Sequence, residues 1–409
     1  NMNNQTRLYK EGYRPWYRVL PHDPIWRRLP EGPSVGFSFC WCDPLQGGTG
    51  FQLRWKHRLS PNSTAYFAFC VPFGHNQCQE LITDIEREFA LSSAAQDPQR
   101  PLRLLSEALQ EDWVPRSGIG VGTSIYFHRQ PLGLSLEGRS VDLLTITAGL
   151  SPGPTGSPAP ESCIEGSAGV DMEEPPADLS MRGMQPRKFP DRPLVFMSAR
   201  VHPGETPSQF AFLGVLRFLL SDDPRAADLR GRFVFKLVPM LNPDGVARGH
   251  YRTNTRGANL NRCYDRPDPA EHEAICAAKR LLLHWSKQRR LLMYIDLHGH
   301  ATKRGCFLLA NRLAGAGQAW NLGFVRLCQI NSPHFDIEAC DFADLRAAEE
   351  RCRDGFSKQG SGRVAIYRDC RICHAYTMEC NYNSGRFSKA VAPAMGLPTW
   401  AERQASTAP

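Results

Sequence analysis

Val201-His202-Pro203-Gly204-Glu205-Thr206 follows an apolar run at 194–197 and precedes a long apolar helical pattern at 207–220. A histidine and a glutamate with two residues between them, on a turn from a buried strand into a helix, can aim an imidazole nitrogen and a carboxylate at one point. Two ligands of a catalytic zinc are often supplied this way, with a third from elsewhere in the chain and one position open to water. The tetrapeptide alone is weak evidence. The chain holds 12 histidines, and a solvent-facing turn explains one such spacing as well as a metal site does.

Downstream of this stretch the pattern is α/β. An apolar strand at 233–241 runs into the turn Asn242-Pro243-Asp244-Gly245, and Asp268-Pro269 begins a helix that reaches about residue 288. A strand at 291–296 ends in Leu297-His298-Gly299-His300, helical patterning returns near 318–330, and strands are expected at 363–367 and 375–380. Strands alternating with helices imply a mixed, largely parallel sheet flanked by helices, and such sheets bind ligands where their strands end. Residues 1–150 read instead as mainly β, with aromatic-rich runs at 51–55 and 66–69, one helix near 77–89, and late strands at 124–128 and 141–147. The expected organisation is an incomplete β-sandwich domain at 1–150, a Gly/Pro/Ser-rich linker or disordered loop at 151–190, a catalytic α/β domain at 191–387, and an irregular tail at 388–409.

The 409 residues are 42% hydrophobic and 22% charged, as in an ordinary globular protein. The apolar stretch at 210–220 is broken by Arg217, and no run reaches the length of a membrane span, so no membrane partner is expected. The polar residues 1–5 carry no export pattern, and the 14 cysteines then read as reduced thiols of a cytosolic or nuclear protein. Cys370 and Cys373 form a single tight dithiol spacing, which is weak evidence without a second pair. A first residue of Asn1 suggests that the true beginning lies earlier. The net charge of +8 favours acidic partners without choosing among them.

A third metal ligand is sought at the end of the strand at 291–296, where either His298 or His300 could reach the ion. Glu379, in the apolar segment Tyr376-Thr377-Met378-Glu379-Cys380, is the candidate base, since an acid there must be paired or used. The segment 250–262 gathers Arg252, Arg256, Arg262, Asn254, Asn259 and Asn261, groups suited to gripping carboxylates and an oxyanion. A phosphate-binding basic loop is the competing reading, but basic density and aromatic interleaving are both low, so nucleic acid is disfavoured.

His202-Pro203-Gly204-Glu205, Asn242-Pro243-Asp244-Gly245, Asn259-Leu260-Asn261-Arg262, Asp296-Leu297-His298-Gly299-His300 and Tyr376-Thr377-Met378-Glu379 occur in the order found in the cytosolic carboxypeptidase family. The chain resembles these zinc carboxypeptidases over most of its length. The resemblance implies an amino-terminal β-sandwich followed by the carboxypeptidase α/β domain. It implies one Zn2+ per chain held by His202, Glu205 and His298, with Glu379 as general base. By the same resemblance Arg252 polarises the scissile carbonyl, Asn261 and Arg262 hold the substrate carboxylate, and Arg363 meets an acidic side chain. Asn259 stands where many relatives carry an aspartate behind the first zinc histidine. The implied activity is removal of glutamate from polyglutamylated tubulin and other acidic-tailed proteins, in the cytoplasm and at the nucleus, microtubules or cilia. The alternatives are an acidic-tail-binding module without catalysis and a zinc amidohydrolase of small N-acyl amino acids. Oligomeric state is not readable.

Overall fold

The computed structural model describes residues 8–9, 11–29, 37–42, 50–90, 100–108, 125–149, 187–343 and 357–387. Residues 151–186 of the expected linker and the whole expected tail at 388–409 lie outside the described residues.

The amino-terminal part carries two small antiparallel sheets. Strands β1 (Trp16–Leu20) and β2 (Asp23–Arg28) pair, and β1 also pairs with β5 (Thr64–Ala68); β3 (Phe37–Cys42) and β4 (Gly50–Trp55) form a separate pair. Helices α1 (His75–Ala90) and α2 (Arg100–Ala108) follow.

The remaining strands build one eight-stranded sheet: β6 (Ile125–Leu134), β7 (Ser140–Ala148), β8 (Leu194–Ala199), β9 (Val234–Val238), β10 (Leu291–His300), β11 (Cys306–Asn311), β12 (Asp341–Ala343) and β13 (His374–Asn381), in the order β12-β11-β13-β10-β8-β9-β7-β6. The central four, β13-β10-β8-β9, are parallel, while β7 and β11 run antiparallel to β9 and β13. Every residue of β8 is buried, as an uninterrupted apolar strand in the middle of a covered sheet should be.

Helices α3 (Thr206–Leu219), α4 (Pro224–Arg232), α5 (Pro243–Ala247), α6 (Glu273–Lys287), α7 (Ala316–Asn331) and α8 (Gly362–Cys370) connect the strands. The period-two alternation of a strand sends Val195, Met197 and Ala199 to a core shared with α1, α2 and α3, through Leu81, Ile85, Leu105, Phe212 and Leu216. Leu194 and Phe196 go to the opposite core, packed with Ile275, Leu282 and Trp285 of α6 and Ile366 of α8. Helices therefore cover both faces, and the α/β fold class is as read from the sequence.

Two expectations need correction. The segment 363–367 is the helix α8, not a strand. A short apolar run such as Val364-Ala365-Ile366 has no period of its own, and its burial against α6 and β13 decides the outcome. The strands at 124–128 and 141–147 do not belong to an amino-terminal sandwich: β7 pairs with β9 through Leu144↔Leu237 and Ile146↔Phe235 and extends the central sheet. Eight of the nine β7 residues are buried, which an outward-facing sandwich strand would not show.

The amino-terminal unit docks on the sheet's carboxyl end. Leu8, Tyr9, Tyr13 and Trp16 share a small core with Tyr382, just past β13. Phe69 packs against Tyr251 and Tyr382 at ring distances of 5.9 and 5.3 Å. Arg28 donates to the Asn383 side chain, and the Asn383 amide donates to the Glu11 carbonyl at 3.3 Å.

Candidate metal centre

Parallel pairing of β8, β10 and β13 aligns their carboxyl ends, so whatever follows those strands gathers on one edge of the sheet. His202 and Glu205 lie on the turn from β8 into α3, His298 sits near the end of β10, and Glu379 occupies β13 directly beside His298 in register. Side chains on paired residues of adjacent strands project to the same face.

His202, Glu205 and His298 are the one group of metal-capable side chains that converges among the described residues. All three are buried, at 2%, 5% and 2% exposure. The Glu205 Oε1 lies 2.8 Å from His202 Nδ1, Glu205 Oε2 lies 3.0 Å from His298 Nδ1, and the two Nδ1 atoms are 3.2 Å apart. Ligand atoms at legs of about 2.0–2.1 Å around a tetrahedral zinc stand about 3.3 Å from one another; the two imidazole nitrogens are near that spacing, the carboxylate turns one oxygen toward each ring, and one ligand atom from each residue lies within 4.8 Å of the others.

The outer side of each ring supports this reading. His202 Nε2 donates to Asn259 Oδ1 at 3.0 Å, and His298 Nε2 donates to Asp296 Oδ2 at 2.8 Å. With an ion bound, those bonds would keep the proton on Nε2 and leave the Nδ1 lone pair facing the centre, the tautomer a metal ligand needs. Asp296 is itself fixed by Ser198, whose Oγ donates to Asp296 Oδ1 at 2.7 Å. The centre also favours positive charge. Burial opposes protonation of His298, but the Asp296 and Glu205 carboxylates outweigh it and hold its pKa well above the usual imidazole value. At His202 burial prevails and lowers it. The donor set fits a divalent zinc.

The turn is held by unusual local means. Arg200, in left-handed conformation at φ 58°, folds its buried guanidinium back onto the Pro203 carbonyl, through Nε at 3.0 Å and Nη2 at 2.6 Å, and its Nη1 reaches the Phe73 carbonyl at 3.0 Å. Gly204 donates to the Tyr251 carbonyl at 2.8 Å; a Cβ there would stand 2.6 Å from the Tyr251 ring. That close approach brings Arg252 to the centre, with Nη1 at 3.4 Å from Glu205 Oε1 and 3.5 Å from His202 Nδ1. Tyr382 closes the same turn by donating to the Gly204 carbonyl at 3.2 Å.

The remaining candidates are placed less uniformly. Glu379 is 9% exposed; burial, with Glu205 and Asp296 nearby and His298 and Arg252 opposing, pushes its pKa up to about 8. Asn261 is buried beside the centre, where its Oδ1 accepts from the Gly362 amide at 2.9 Å and its Nδ2 lies 3.4 Å from His298 Nε2. Arg262 follows it and donates through Nη1 to the Asn261 carbonyl at 2.9 Å. Arg363 is not brought to the histidine–glutamate cluster: it lies on α8, 6% exposed, with Nη1 on the Ala310 carbonyl at 2.6 Å and on Asn311 Oδ1 at 2.7 Å. His300 also stays apart, its Nδ1 accepting from the Thr302 and Lys303 amides at 3.2 Å. The choice between His298 and His300, open on spacing alone, falls to His298. Sequence reading missed Arg200, Ser198 and Tyr382. Of the polar groups behind the histidines, Asp296 was within reach of a period-two argument, since residues 296 and 298 share a strand face.

A family model described as zinc carboxypeptidase matches residues 124–303, a span that includes all three donors. The metallo-carboxypeptidase from Burkholderia cenocepacia shares the fold, with a TM-score of 0.57 and 18% identity over 94% of this chain and 76% of that one. The fold is that of solved metallo-carboxypeptidases, and the donor set is one that suits zinc. Cytosolic carboxypeptidase-like protein 5 of Rattus norvegicus is 34% identical over 96% of this chain and 53% of its own length, so this chain spans about half of that relative. Cytosolic carboxypeptidase 1 of Mus musculus is 35% identical over 49% of this chain and 17% of its own. Over nearly its whole length this chain is similar to cytosolic carboxypeptidases.

Proposed function

We propose that this chain is a zinc-dependent metallocarboxypeptidase that removes glutamate, at branch points or carboxyl ends, from polyglutamylated proteins such as tubulin. One observation carries the hydrolase reading: a buried His202–Glu205–His298 donor set with backing acceptors lies beside an in-register buried acid, Glu379. A zinc ion bound there supplies Lewis-acid polarisation of a carbonyl and lowers the pKa of a water. Glu379 would accept a proton from an attacking water and return it to the leaving amine, a role that its raised pKa favours. Arg252, the cation at the mouth of the centre with its side chain 35% exposed, stabilises the developing oxyanion. Arg262 and Asn261 orient the terminal carboxylate. The preference for glutamate rests on the family resemblance and on the net charge of +8, which steers acidic tails toward the protein. We infer a cytoplasmic location, with the nucleus, microtubules and cilia as further sites.

The test is mass spectrometry of glutamylated tubulin tails incubated with zinc-loaded protein. Wild type should release glutamate, and Glu379→Gln should abolish release while retaining stoichiometric zinc. Stoichiometric zinc in wild type with no release would favour an acidic-tail-binding module, and cleavage confined to small N-acyl amino acids would favour an amidohydrolase.

A further inference from the structure

One base-flanking feature has no part in the chemistry above. Cys306 of β11 and Cys380 of β13 are register partners in an antiparallel pair, and Cys380 directly follows Glu379. Asn381 N donates to the Gly305 carbonyl at 2.9 Å, while the Cys306 amide and carbonyl turn away from β13, to the His334 carbonyl at 3.0 Å and the Asp336 amide at 2.7 Å. Pairs alternate along an antiparallel ladder, which makes Cys306 and Cys380 a non-hydrogen-bonded pair, where Cα atoms stand about 4.5 Å apart and side chains approach most closely. The two sulfurs are 3.5 Å apart, and both residues are free thiols. A disulfide accepts Cα separations of about 4.4–6.8 Å and favours about 5.5–6 Å, so the pair sits at the short end of the range and closing the sulfurs to about 2.05 Å strains the two strands there.

We propose that Cys306 and Cys380 are an oxidative modification site: a peroxide converts them to a disulfide that displaces Glu379 and lowers hydrolysis. Cys306 is the more accessible sulfur, half-buried against 7% exposure for Cys380. Its neighbour's hydrogen bond also lowers the Cys306 pKa against the effect of burial, while the Cys380 pKa is raised, so the attacking thiolate forms on Cys306. Its sulfur attacks one peroxide oxygen, giving a sulfenic acid and releasing water. The Cys380 sulfur then attacks Cys306 Sγ, the S–O bond breaks, and a second water leaves. Two thiols lose two hydrogens and two electrons, and the peroxide is reduced to two waters. Drawing the sulfurs together moves the β13 backbone next to Glu379, which must stay aligned with His298 on the neighbouring strand. A displacement of about 1 Å in a reacting group can cost about 100-fold in rate.

The test treats zinc-loaded protein with hydrogen peroxide, maps disulfides by mass spectrometry without reduction, and follows glutamate release. The expected result is a Cys306–Cys380 crosslinked peptide, a loss of about tenfold or more in rate, and recovery on adding dithiothreitol. Cys306→Ser and Cys380→Ser should keep the untreated rate and lose both the crosslink and the reversible inhibition. The activity half of the inference rests on the proposed hydrolase. If reduced protein releases no glutamate, that function fails, while the crosslinked peptide still decides the modification site. Absence of the crosslink, a crosslink that leaves the rate unchanged, or equal peroxide sensitivity in Cys306→Ser overturns the inference.

Discussion

Asn259 and Asp296 do similar work with different charge. Each accepts a hydrogen bond from the outer nitrogen of a donor histidine, at 3.0 and 2.8 Å, but a carboxylate raises imidazole basicity more than an amide does. Asp296→Asn should therefore weaken zinc binding by about 10–100-fold, and Asn259→Asp should strengthen it, both measured by competition with a chromophoric chelator. The pair ranks the two histidines: His298 is the better-supported ligand. A second prediction concerns His374, half-buried at the start of β13, with Nδ1 at 2.9 Å from the Tyr376 hydroxyl. Burial lowers its pKa below the ordinary value of 6.5. Between those two values the unfolded chain binds more protons than the folded one, so this contribution to stability is complete above pH 6.5 and is lost as pH falls toward the folded-state pKa. Urea midpoints at pH 7.5 and 5.5 should differ more for wild type than for His374→Gln. Equal differences would contradict it.

At the scale of elements, legibility in the sequence followed periodicity. The strands at 194–198 and 291–296 were readable because buried parallel strands are unbroken apolar runs, and the helix near 77–89 because it is amphipathic over 16 residues as His75–Ala90. β11 and β12 were missed: Cys306–Asn311 is short and Gly-flanked, and β12 spans only Asp341–Ala343. Partners far away in the chain decide such segments, and no local signal names them. The three donors were legible as residue types at strand ends, whereas the turn geometry around Arg200 exists only through contacts with Phe73 and Pro203. The helix that replaced the expected strand at 363–367 changes the role of its arginine. Arg363→Met removes the guanidinium from the Ala310 carbonyl and Asn311, and should lower unfolding stability by about 2–3 kcal/mol, as losses of charged hydrogen bonds do. Chemical denaturation checks this. Gly204→Ala tests the neighbouring turn: its Cβ would sit 2.9 Å from the Tyr251 carbonyl, so Arg252 must move and glutamate release should fall by about tenfold or more.

Across the whole molecule, the amino-terminal unit and the central sheet are joined by a shared core around Tyr382 and by Arg304 with Glu11, 3.7 Å apart. One cooperative thermal transition is expected, and two separated transitions would argue that the units unfold independently. Zinc held by the three donors would bind only the folded arrangement, so removing it with a chelator should lower that transition. At free zinc about 1,000-fold above its dissociation constant the linkage is worth about 4 kcal/mol, read as the drop in midpoint on chelation. Strand order adds a consequence in time. β13 lies between β10 and β11, both of which precede it in the chain. A ribosome therefore delivers both flanking strands before the segment that fills the gap between them, and Glu379 emerges after every metal donor. A polypeptide stopped short of that acid would carry every donor yet, on the proposed function, release no glutamate.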